Sequence, residues 1–537
     1  MKSNKTKINP YSGMTIKELK VLAEQGDAEA QFRLGYQYKR GEGVRKNYKK
    51  AVEWLTEAAM QGHSNAQYSL GVCHEQGKGV KKDYAKAVEW YTKAAEHGNM
   101  PAQFELGACY YLGNGVEQNY KKALEWYFKA AEQGDPWAQN DIGVCYLDGK
   151  GVEKDPVKGV EWIAKSAKQG YATAQYNLAW RYMDGEGVEQ DLKKAVELYK
   201  KAALQGHARA QNNLGVRYLY GDGVKKNYKK AVEWFTKAAE HEAEVAQYHL
   251  AKCYANGLGV KKDLKKAVAW YTKAAKQGHK GAQFKLGKCY RNGKGVDKDH
   301  AKAVKWFSLS AKQGDDLSQF YLGVCYEYGE GVRKNYKKAA EWYTKAAEQG
   351  VPEAQYNLVT FYENGIGVEK NQAKALEWCV KAAEQGDDKA QYYLAKCYEE
   401  GKGAKKDLVK AVEWYTKAAK QGAKKTLFVD QKNSNVKKMV SPLQEGAFSE
   451  PVIHQAVLNH IDFVLPDLIW KLINEAFEHY WDDEVGVGGC FDYDTMFHSI
   501  RNQLIAAHIF YPDSQLFRVI EAIYNFIDKI PGVVIHD

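Results

Sequence analysis

The hydrophobic residues of this chain follow two alternating helical patterns. In the first segment, Ala30, Leu34 and Tyr38 recur every four residues, the spacing that places side chains on one face of an α-helix. In the segment that follows, Trp54 and Ala58 have the same spacing. The pattern therefore predicts a pair of amphipathic helices that bury their apolar faces against each other.

A glycine-containing turn separates the two predicted helices. Gly41 and Gly43 break the first helix and supply the positive φ angles that a C-cap and a tight turn need. A short polar side chain then stands where the second helix needs an N-cap. It is Asn or Asp in every copy of the pattern: Asn47, Asp83, Asn119, Asp155, Asp191, Asn227, Asp263, Asp299, Asn335, Asn371 and Asp407.

The paired pattern recurs every 36 residues, eleven times, without an insertion or deletion. One copy, GKGVKKDYAKAVEWYTKAA from Gly77 to Ala95, looks like a phosphate-binding loop at a helix N-terminus. Eleven nucleotide sites at one fixed step are implausible, so we interpret the glycines as a hinge between paired helices. A single hairpin is too small to fold alone and is stabilised by stacking on its neighbours.

The repeat closely resembles the Sel1-like repeat, a relative of the tetratricopeptide repeat. The resemblance rests on AEQGxxxAQxxLGxxY at Ala23–Tyr38, GxGV at Gly77–Val80 and KAxxWxxKAA at Lys86–Ala95. It implies an all-α fold, a right-handed α-solenoid of eleven 36-residue helix-turn-helix repeats with the first helices lining a concave groove. It also implies a scaffold that holds other proteins and is not an enzyme.

The repeat boundaries predict four parts of the chain. We expect an N-terminal tail and capping helix over residues 1–27, the repeats over 28–423, a polar linker over 424–447 and a small acidic helical domain over 448–537. Glu242 replaces the glycine that ends the second helix of its copy, so we expect the local turn to be altered there.

The cysteines also follow the repeat. Seven of the nine occupy one equivalent position: Cys73, Cys109, Cys145, Cys253, Cys289, Cys325 and Cys397. Packed helices lie about 8–10 Å apart, whereas a disulfide needs Cα atoms within about 7 Å. We therefore expect reduced thiols that act as small apolar fillers, not disulfides or metal ligands.

Some positions of the first helix differ from copy to copy. The positions of Glu29, Arg33, Tyr36 and Arg40 are variable and form one stripe on the helix. In the central copies the stripe and its neighbours carry aromatic, charged and amide side chains, which suit a protein or peptide ligand. The predicted contact residues are Trp137, Asp141, Asn177, Trp180, Arg181, Arg209, Asn213, Arg217, His249 and Lys252. The alternative is a solvated face under relaxed selection.

The net charge of +11 is divided unevenly along the chain. Residues 424–537 hold 9 basic and 16 acidic residues, a balance of −7, which leaves +18 for residues 1–423. An intramolecular contact between the two regions is therefore one hypothesis. Each copy has a lysine early in its second helix, but interleaved glutamates make a scaffold role more plausible than nucleic-acid binding. These lysines are Lys50, Lys86, Lys122, Lys158, Lys194, Lys230, Lys266, Lys302, Lys338, Lys374 and Lys410.

The C-terminal region contains the one concentration of residues typical of metal or catalytic sites. These are His454, His460, His479, His498, His508, Asp482, Asp483, Glu484, Asp492 and Asp494. Their spacing matches no metal-binding motif such as H-E-x-x-H, so a solvated acidic cluster is favoured. An enzymatic or metal-binding C-terminal domain, or a bacterial effector or toxin-associated protein, remains the alternative function.

The sequence thus predicts a non-enzymatic scaffold or adaptor that binds a protein or peptide and needs no cofactor. Neither a signal peptide nor an apolar run of about 18–20 residues is visible. We therefore expect a cytoplasmic protein without membrane contact.

Overall fold

The computed structural model describes residues 10–11, 13–407, 410–411, 413–415, 417–418, 490–492 and 534–536. Apart from one pair of short strands, the regular elements in these ranges are helices. They are α1 (Ile16–Glu24), α2 (Ala28–Arg40), α3 (Tyr48–Met60), α4 (Ser64–Gln76), α5 (Tyr84–Glu96), α6 (Met100–Leu112), α7 (Tyr120–Glu132), α8 (Pro136–Asp148), α9 (Pro156–Lys168), α10 (Ala172–Asp184), α11 (Leu192–Leu204), α12 (Ala208–Tyr220), α13 (Tyr228–Glu240), α14 (Glu244–Asn256), α15 (Leu264–Lys276), α16 (Lys280–Asn292), α17 (His300–Lys312), α18 (Asp316–Tyr328), α19 (Tyr336–Glu348), α20 (Pro352–Asn364), α21 (Gln372–Glu384) and α22 (Asp388–Glu400).

The helices form consecutive hairpins in two units, residues 1–277 and 278–537. Within each unit a first helix packs on the second helix of its own hairpin, and that second helix packs on the first helix of the next. Thus α4 contacts α5 and α5 contacts α6 in one unit, as α16, α17 and α18 do in the other. The predicted all-α solenoid of tandem hairpins is confirmed.

One helix precedes the first hairpin, where the sequence predicts a cap. Thr15 begins α1 with a reciprocal capping box to Glu18. Leu19 and Ala23 of α1 are buried together with Leu34 of α2. The helix therefore covers part of the apolar face of the first hairpin.

The polar side chain before each second helix is an N-cap, as predicted. In the second repeat the Asp83 Oδ1 accepts a hydrogen bond from the backbone N–H of Lys86 at 3.0 Å. Equivalent bonds occur in all eleven copies. Because each cap satisfies a backbone donor that the helix leaves free, it fixes the residue at which the helix begins.

The two positions of each turn require glycine for different structural reasons. Gly77 ends α4 at φ 67°, and its N–H donates to the Cys73 carbonyl. Gly79 has φ 81°, and a Cβ there would lie 2.3 Å from the carbonyl oxygen of Tyr48 in the preceding second helix. The turn is therefore a close backbone contact between repeats, which confirms a structural role for the motif.

Within each of the two units, a buried glutamine joins a hairpin to the one before it. The Gln103 Nε2 donates to the Ala95 carbonyl at 3.1 Å, while the Gln103 Oε1 accepts from the Gln133 Nε2 at 2.7 Å. The side chain of Gln103 is 5% exposed, so both ends of its amide need such partners. This contact explains why the position does not vary among the copies.

The cysteines pack as predicted. All eight cysteines whose side chains the structure describes are free, and each is buried except the half-buried Cys289. Burial raises the pKa of the Cys109 thiol to about 12, with the Glu75 and Glu105 carboxylates adding to the effect. Such thiols remain protonated and serve as small apolar side chains of the core.

Glu242 does not alter its turn. The residue adopts φ 57°, a left-handed conformation unusual for a residue with a side chain. Its N–H donates to the Ala239 carbonyl at 3.2 Å, as the N–H of Gly62 does to Ala59 at 3.0 Å in the first repeat. The expectation of a changed turn is wrong because the surrounding hydrogen bonds hold the backbone in the geometry that glycine gives elsewhere.

Two short strands lie in the C-terminal region, where the sequence analysis predicts only helices. β1 (Cys490–Asp492) pairs in parallel with β2 (Val534–His536), with Phe491 opposite Ile535. The predicted linker, the predicted acidic helical domain and the predicted histidine and acidic cluster otherwise lie outside the described residues. They stay predictions.

Candidate partner-binding surface

The first helices have a buried face and a more exposed one. In α2 the positions of Ala30, Gln31 and Leu34, which are the same in all or nearly all copies, are 0–4% exposed. The positions of Glu29, Arg33, Tyr36 and Arg40, which we call the variable face, are half-buried or exposed in that helix. The division between constant and variable positions therefore coincides with the division between core and surface.

Two tryptophans of the central repeats are exposed on the variable face. Trp137 of α8 is 48% exposed and Trp180 of α10 is 42% exposed. The ring of Trp137 stands 6.2 Å from that of Phe104 and 6.0 Å from that of Tyr171, so its position is supported by aromatic neighbours. Large aromatic rings left in solvent are the residues most often found at the centre of protein interfaces.

Basic residues extend the variable face into the next repeats. Arg209 of α12 is exposed, and the Lys252 Nζ of α14 lies 5.7 Å from the ring centre of Tyr248. Val245, also on α14, is 39% exposed. The face thus combines aromatic, apolar and cationic side chains within residues 137–252.

Asp141 and Asn177 are joined through a residue that the sequence analysis did not select. The Asn140 Nδ2 donates to the Asp141 Oδ1 at 2.9 Å, and the Asn140 Oδ1 accepts from the Asn177 Nδ2 at 2.9 Å. Asn140 is 3% exposed. One buried amide therefore orients two side chains of the variable face on consecutive first helices.

The same arrangement recurs two repeats later. The Asn212 Nδ2 donates to the Asn213 Oδ1 at 3.2 Å, and the Asn212 Oδ1 is 2.9 Å from the Nδ1 of His249. The Asn213 Nδ2 also donates to the Tyr199 hydroxyl at 3.4 Å. Asn213 and His249 are thereby placed by Asn212, just as Asp141 and Asn177 are placed by Asn140.

A signal in the sequence could have revealed these two asparagines. Their position is aromatic in the nine other copies, as at Phe32 and Tyr68, and asparagine only at Asn140 and Asn212. This mostly aromatic position lies beside the stripe of variable positions and is not part of it. A buried amide that replaces an aromatic ring needs hydrogen-bond partners, and the variable face supplies them.

Arg181 and Arg217 replace the filler cysteine, and each is bound within its own repeat. Arg181 forms an ion pair with Glu186, and the Arg217 Nη1 lies 3.1 Å from the Asp222 Oδ2. Both acidic residues stand between the two glycines of the turn. The Nε atoms of the two arginines are buried without a hydrogen-bond partner. These arginines therefore brace the turns that follow α10 and α12 instead of projecting freely.

Carboxylates accumulate on the third and fourth repeats. Glu105 and Asp141 are half-buried at the Arg33 position, and burial raises their pKa values to about 7 and about 6 respectively. The negative charge of Asp135 raises both further, and Glu75 acts on Glu105. Burial also raises the pKa of Asp135 itself. This part of the surface holds acidic groups in an unfavourable environment.

In nine of the eleven repeats, the lysine that is common to all copies lies over a tyrosine ring of its own hairpin. In the first repeat the Lys50 Nζ lies 5.6 Å from the ring centre of Tyr38. The same contact occurs at Lys122, Lys194, Lys230, Lys266, Lys302, Lys338, Lys374 and Lys410. A cation held over a tyrosine of the same repeat supports the scaffold interpretation of these lysines.

Fold and surface together define a tandem helical-repeat protein. The family model described as Sel1 repeat matches residues 28–63, 64–99, 101–135, 138–171, 172–207, 208–242, 245–279, 281–315, 316–351, 352–387 and 388–422. The chain belongs to the Sel1 repeat family. Proteins of this family are generally scaffolds for protein interactions.

A solved structure agrees with this assignment. A protective antigen of uropathogenic Escherichia coli that displays an SLR fold is 34% identical, with a TM-score of 0.66 over 89% of this chain and 99% of that one. A Sel1 repeat protein from Oxalobacter formigenes is 33% identical, with a TM-score of 0.47 over 60% of this chain and 97% of that one. No curated protein matches the chain at a significant level. No helix of the described residues has the length and apolarity needed to span a membrane.

Proposed function

We propose that the chain is a scaffold or adaptor that binds a protein or peptide on the variable face of its first helices, centred on residues 137–252. The observation that carries the proposal is the exposure of Trp137 and Trp180 on that face. An exposed tryptophan that is half in solvent has apolar surface available for a partner to cover.

The polar side chains around the tryptophans are pre-oriented. Asn140 holds Asp141 and Asn177, and Asn212 holds Asn213 and His249. Side chains fixed before binding lose less conformational freedom when a partner arrives, which favours affinity and specificity. A merely solvated face would have no reason to use buried amides for this purpose.

The contribution of Arg181 and Arg217 differs from that of the tryptophans. Because each guanidinium is paired with an acidic residue of the following turn, replacing it disturbs the turn as well as the surface. We therefore propose that the two arginines position the turns, while Trp137, Trp180 and Arg209 contact the partner.

The proposal is tested by affinity capture from the native host, with bound proteins quantified by mass spectrometry. The test variant is Trp137→Ala/Trp180→Ala in the full chain. The matched control is Met60→Ala/Leu204→Ala, which removes two side chains that are 73% and 67% exposed at the ends of second helices. We expect a defined set of proteins to be captured by wild type and control and reduced at least about tenfold with the test variant.

Equal capture by all three proteins would overturn the placement of the surface. Circular dichroism and thermal melting of each variant establish that the helices are intact, and we expect them to be, since each of the four side chains is at least 42% exposed. Loss of capture in the control alone would move the binding surface to the second helices.

A further inference from the structure

The first repeat contains a chain of opposite charges on its variable face. The Arg33 Nε lies 2.5 Å from the Glu29 Oε1, and the Glu29 Oε2 lies 2.9 Å from the Nε2 of His63, the residue that caps the next first helix. In the second repeat, the equivalent cap Asn99 donates its Nδ2 to the Asn65 Oδ1 at 2.8 Å. Each cap therefore uses its second polar atom on the residue 34 positions earlier.

The third repeat has the same geometry with different chemistry. Asp135 caps α8, and its Oδ1 accepts from the Ala138 N–H at 2.7 Å. The residue 34 positions before Asp135 is Pro101, which has no hydrogen-bond donor to offer to the second carboxylate oxygen. The Asp135 Oδ2 is accordingly buried without a hydrogen-bond partner, in a residue that is 1% exposed.

The cation of the first repeat is replaced by a carboxylate. Glu105 occupies the position of Arg33, and Asp141 occupies it one repeat later. Among the residues that the structure describes, no Lys, Arg or His forms an ion pair with Glu105, Asp135 or Asp141. Two acidic groups, Glu105 and Asp135, thus lie where the first repeat has the basic side chains of Arg33 and His63, and Asp141 follows one repeat later.

The negative charge of Asp135 acts on both other carboxylates and raises the pKa values of Glu105 and Asp141 in addition to the effect of burial, and Glu75 also raises that of Glu105. A cation would reverse this effect by stabilising the ionised forms. Trp137 lies one helical turn before Asp141 in α8 and is 48% exposed, so its aromatic ring is available to a cation bound beside Asp141.

We infer that Glu105, Asp135 and Asp141, the acidic site, bind the cationic side chain of an arginine or lysine residue carried by a protein partner, an inference that rests on the proposed function. Glu105 and Asp141, which are half-buried, contact the cation. Asp135 adds its charge from the interior. The partner thereby supplies the positive charge that the first repeat supplies for itself with Arg33.

Because the rest of the repeat region is basic, a preference of this chain for a cationic ligand would be evidence for the acidic site. Residues 1–423 carry a balance of +18, so a basic ligand is repelled by most of the repeat surface. Attraction of a single arginine to this chain therefore requires a local acidic site. Screening at about 0.15 M salt removes most of the long-range repulsion but little of a partly buried pair.

The test is fluorescence anisotropy with two fluorescein-labelled peptides that have glycine and alanine around one central residue. One peptide has arginine at the centre, and the other has citrulline, which has nearly the same shape without the charge. The full chain is titrated into each at about 0.15 M salt. We expect the arginine peptide to bind about tenfold more tightly than the citrulline peptide, as a charge-assisted contact with two carboxylates implies.

The variant Glu105→Gln/Asp141→Asn is expected to bring the two affinities within about twofold of each other. The matched control is Glu125→Gln/Glu132→Gln, which makes the same change in net charge at two exposed positions of α7 and should leave the preference intact. Because the test substitutions remove repulsion between buried carboxylates, loss of folding is not expected, and thermal melting verifies this.

Equal binding of the two peptides to the wild-type chain would overturn the acidic site, as would a preference that persists in Glu105→Gln/Asp141→Asn. These results leave the scaffold proposal standing when partner capture still depends on Trp137 and Trp180. Failure of the scaffold proposal is recognised separately, by capture that is unaffected when those two tryptophans are replaced.

Discussion

The Asn177 Nδ2 donates a hydrogen bond to the Asn140 Oδ1 at 2.9 Å, across two consecutive repeats. Asn140 is buried at a position that is aromatic in most copies, while Asn177 lies on the variable face. The contact links Asn140, a core residue that departs from the repeat pattern, to Asn177, a surface residue at a variable position. It indicates that the two positions function together, as do Asn212 and His249.

The Asn140 bridge can be measured as a coupling energy. We expect Asn140→Ala to lower the free energy of unfolding by about 1–3 kcal/mol, because the cavity remains and the amide of Asn177 loses its partner. Asn177→Ala should cost about 1 kcal/mol. In urea denaturation the double variant should be less destabilised than the sum, with a coupling of about 0.5–2 kcal/mol. Additive effects would mean that the bridge contributes nothing.

The acidic site should make stability depend on pH. The pKa of Glu105 is raised from 4.5 to about 7 and that of Asp141 from 3.8 to about 6, chiefly by burial and then by Asp135 and, for Glu105, Glu75. The folded chain therefore holds these protons more tightly than the unfolded chain, and stability falls as pH rises from about 4 to about 7.

Replacing Glu105 should remove part of the loss of stability that occurs as the pH rises. Glu105→Gln is expected to melt like wild type near pH 4 and to be more stable by about 1–3 kcal/mol near pH 8. Thermal melting over this range measures the difference. Glu125→Gln, at an exposed second-helix position, is the control and should not show the divergence. A constant difference between Glu105→Gln and wild type at all pH values would contradict the account.

Glu242 should be a site of local strain. A side-chain-bearing residue at φ 57° costs about 1 kcal/mol relative to glycine, after allowing for the greater freedom of glycine in the unfolded chain. We expect Glu242→Gly to raise the free energy of unfolding by about 1 kcal/mol in urea denaturation. The reciprocal change Gly206→Glu, at φ 86° in an open position, should lower it by a similar amount. Stabilisation by both substitutions, or by neither, would argue against backbone strain.

The second glycine of the turn should be far less replaceable than the glycine that follows each second helix. Gly79→Ala adds the cost of a Cβ at 2.3 Å from the Tyr48 carbonyl oxygen to that of its positive φ, so we expect a loss of about 3 kcal/mol or more. Gly62→Ala, where no atom lies within 4 Å of the added Cβ, should cost about 1 kcal/mol. Thermal and urea unfolding compare the two directly. Equal losses would show that the turn is not a close contact between repeats.

The sequence predicts the repeat fold because its determinants are local and occur eleven times. N-caps such as Asp83, turn glycines such as Gly77 and apolar spacing all act within one hairpin, and repetition separates them from chance. The turn at Glu242 could not be predicted in this way. Its conformation depends on backbone N–H groups that donate to the Ala239 and Ala238 carbonyls and hold the backbone regardless of the side chain.

The surface could be predicted only in part. The variation among aligned positions of the repeats identified Trp137 and Trp180, and both are exposed in the structure. It did not reveal that Asn140 orients its neighbours, because the bridge joins residues 37 positions apart. Nor did it reveal that Asp135 has an unpartnered oxygen, since this follows from Pro101 in the preceding repeat. Both features depend on contacts between neighbouring repeats. A comparison of aligned positions gives no information about such contacts.

Site-specific photo-crosslinking in the native host tests the central claim most directly. A benzoylphenylalanine replaces Trp180, Arg209 or Val245 on the variable face in three variants, and exposed Glu125 or Leu204 of the second helices in two control variants. The account predicts crosslinked partner bands from the first set and little or none from the second. Crosslinks of equal or greater yield from the second helices, with none from the variable face, would contradict it.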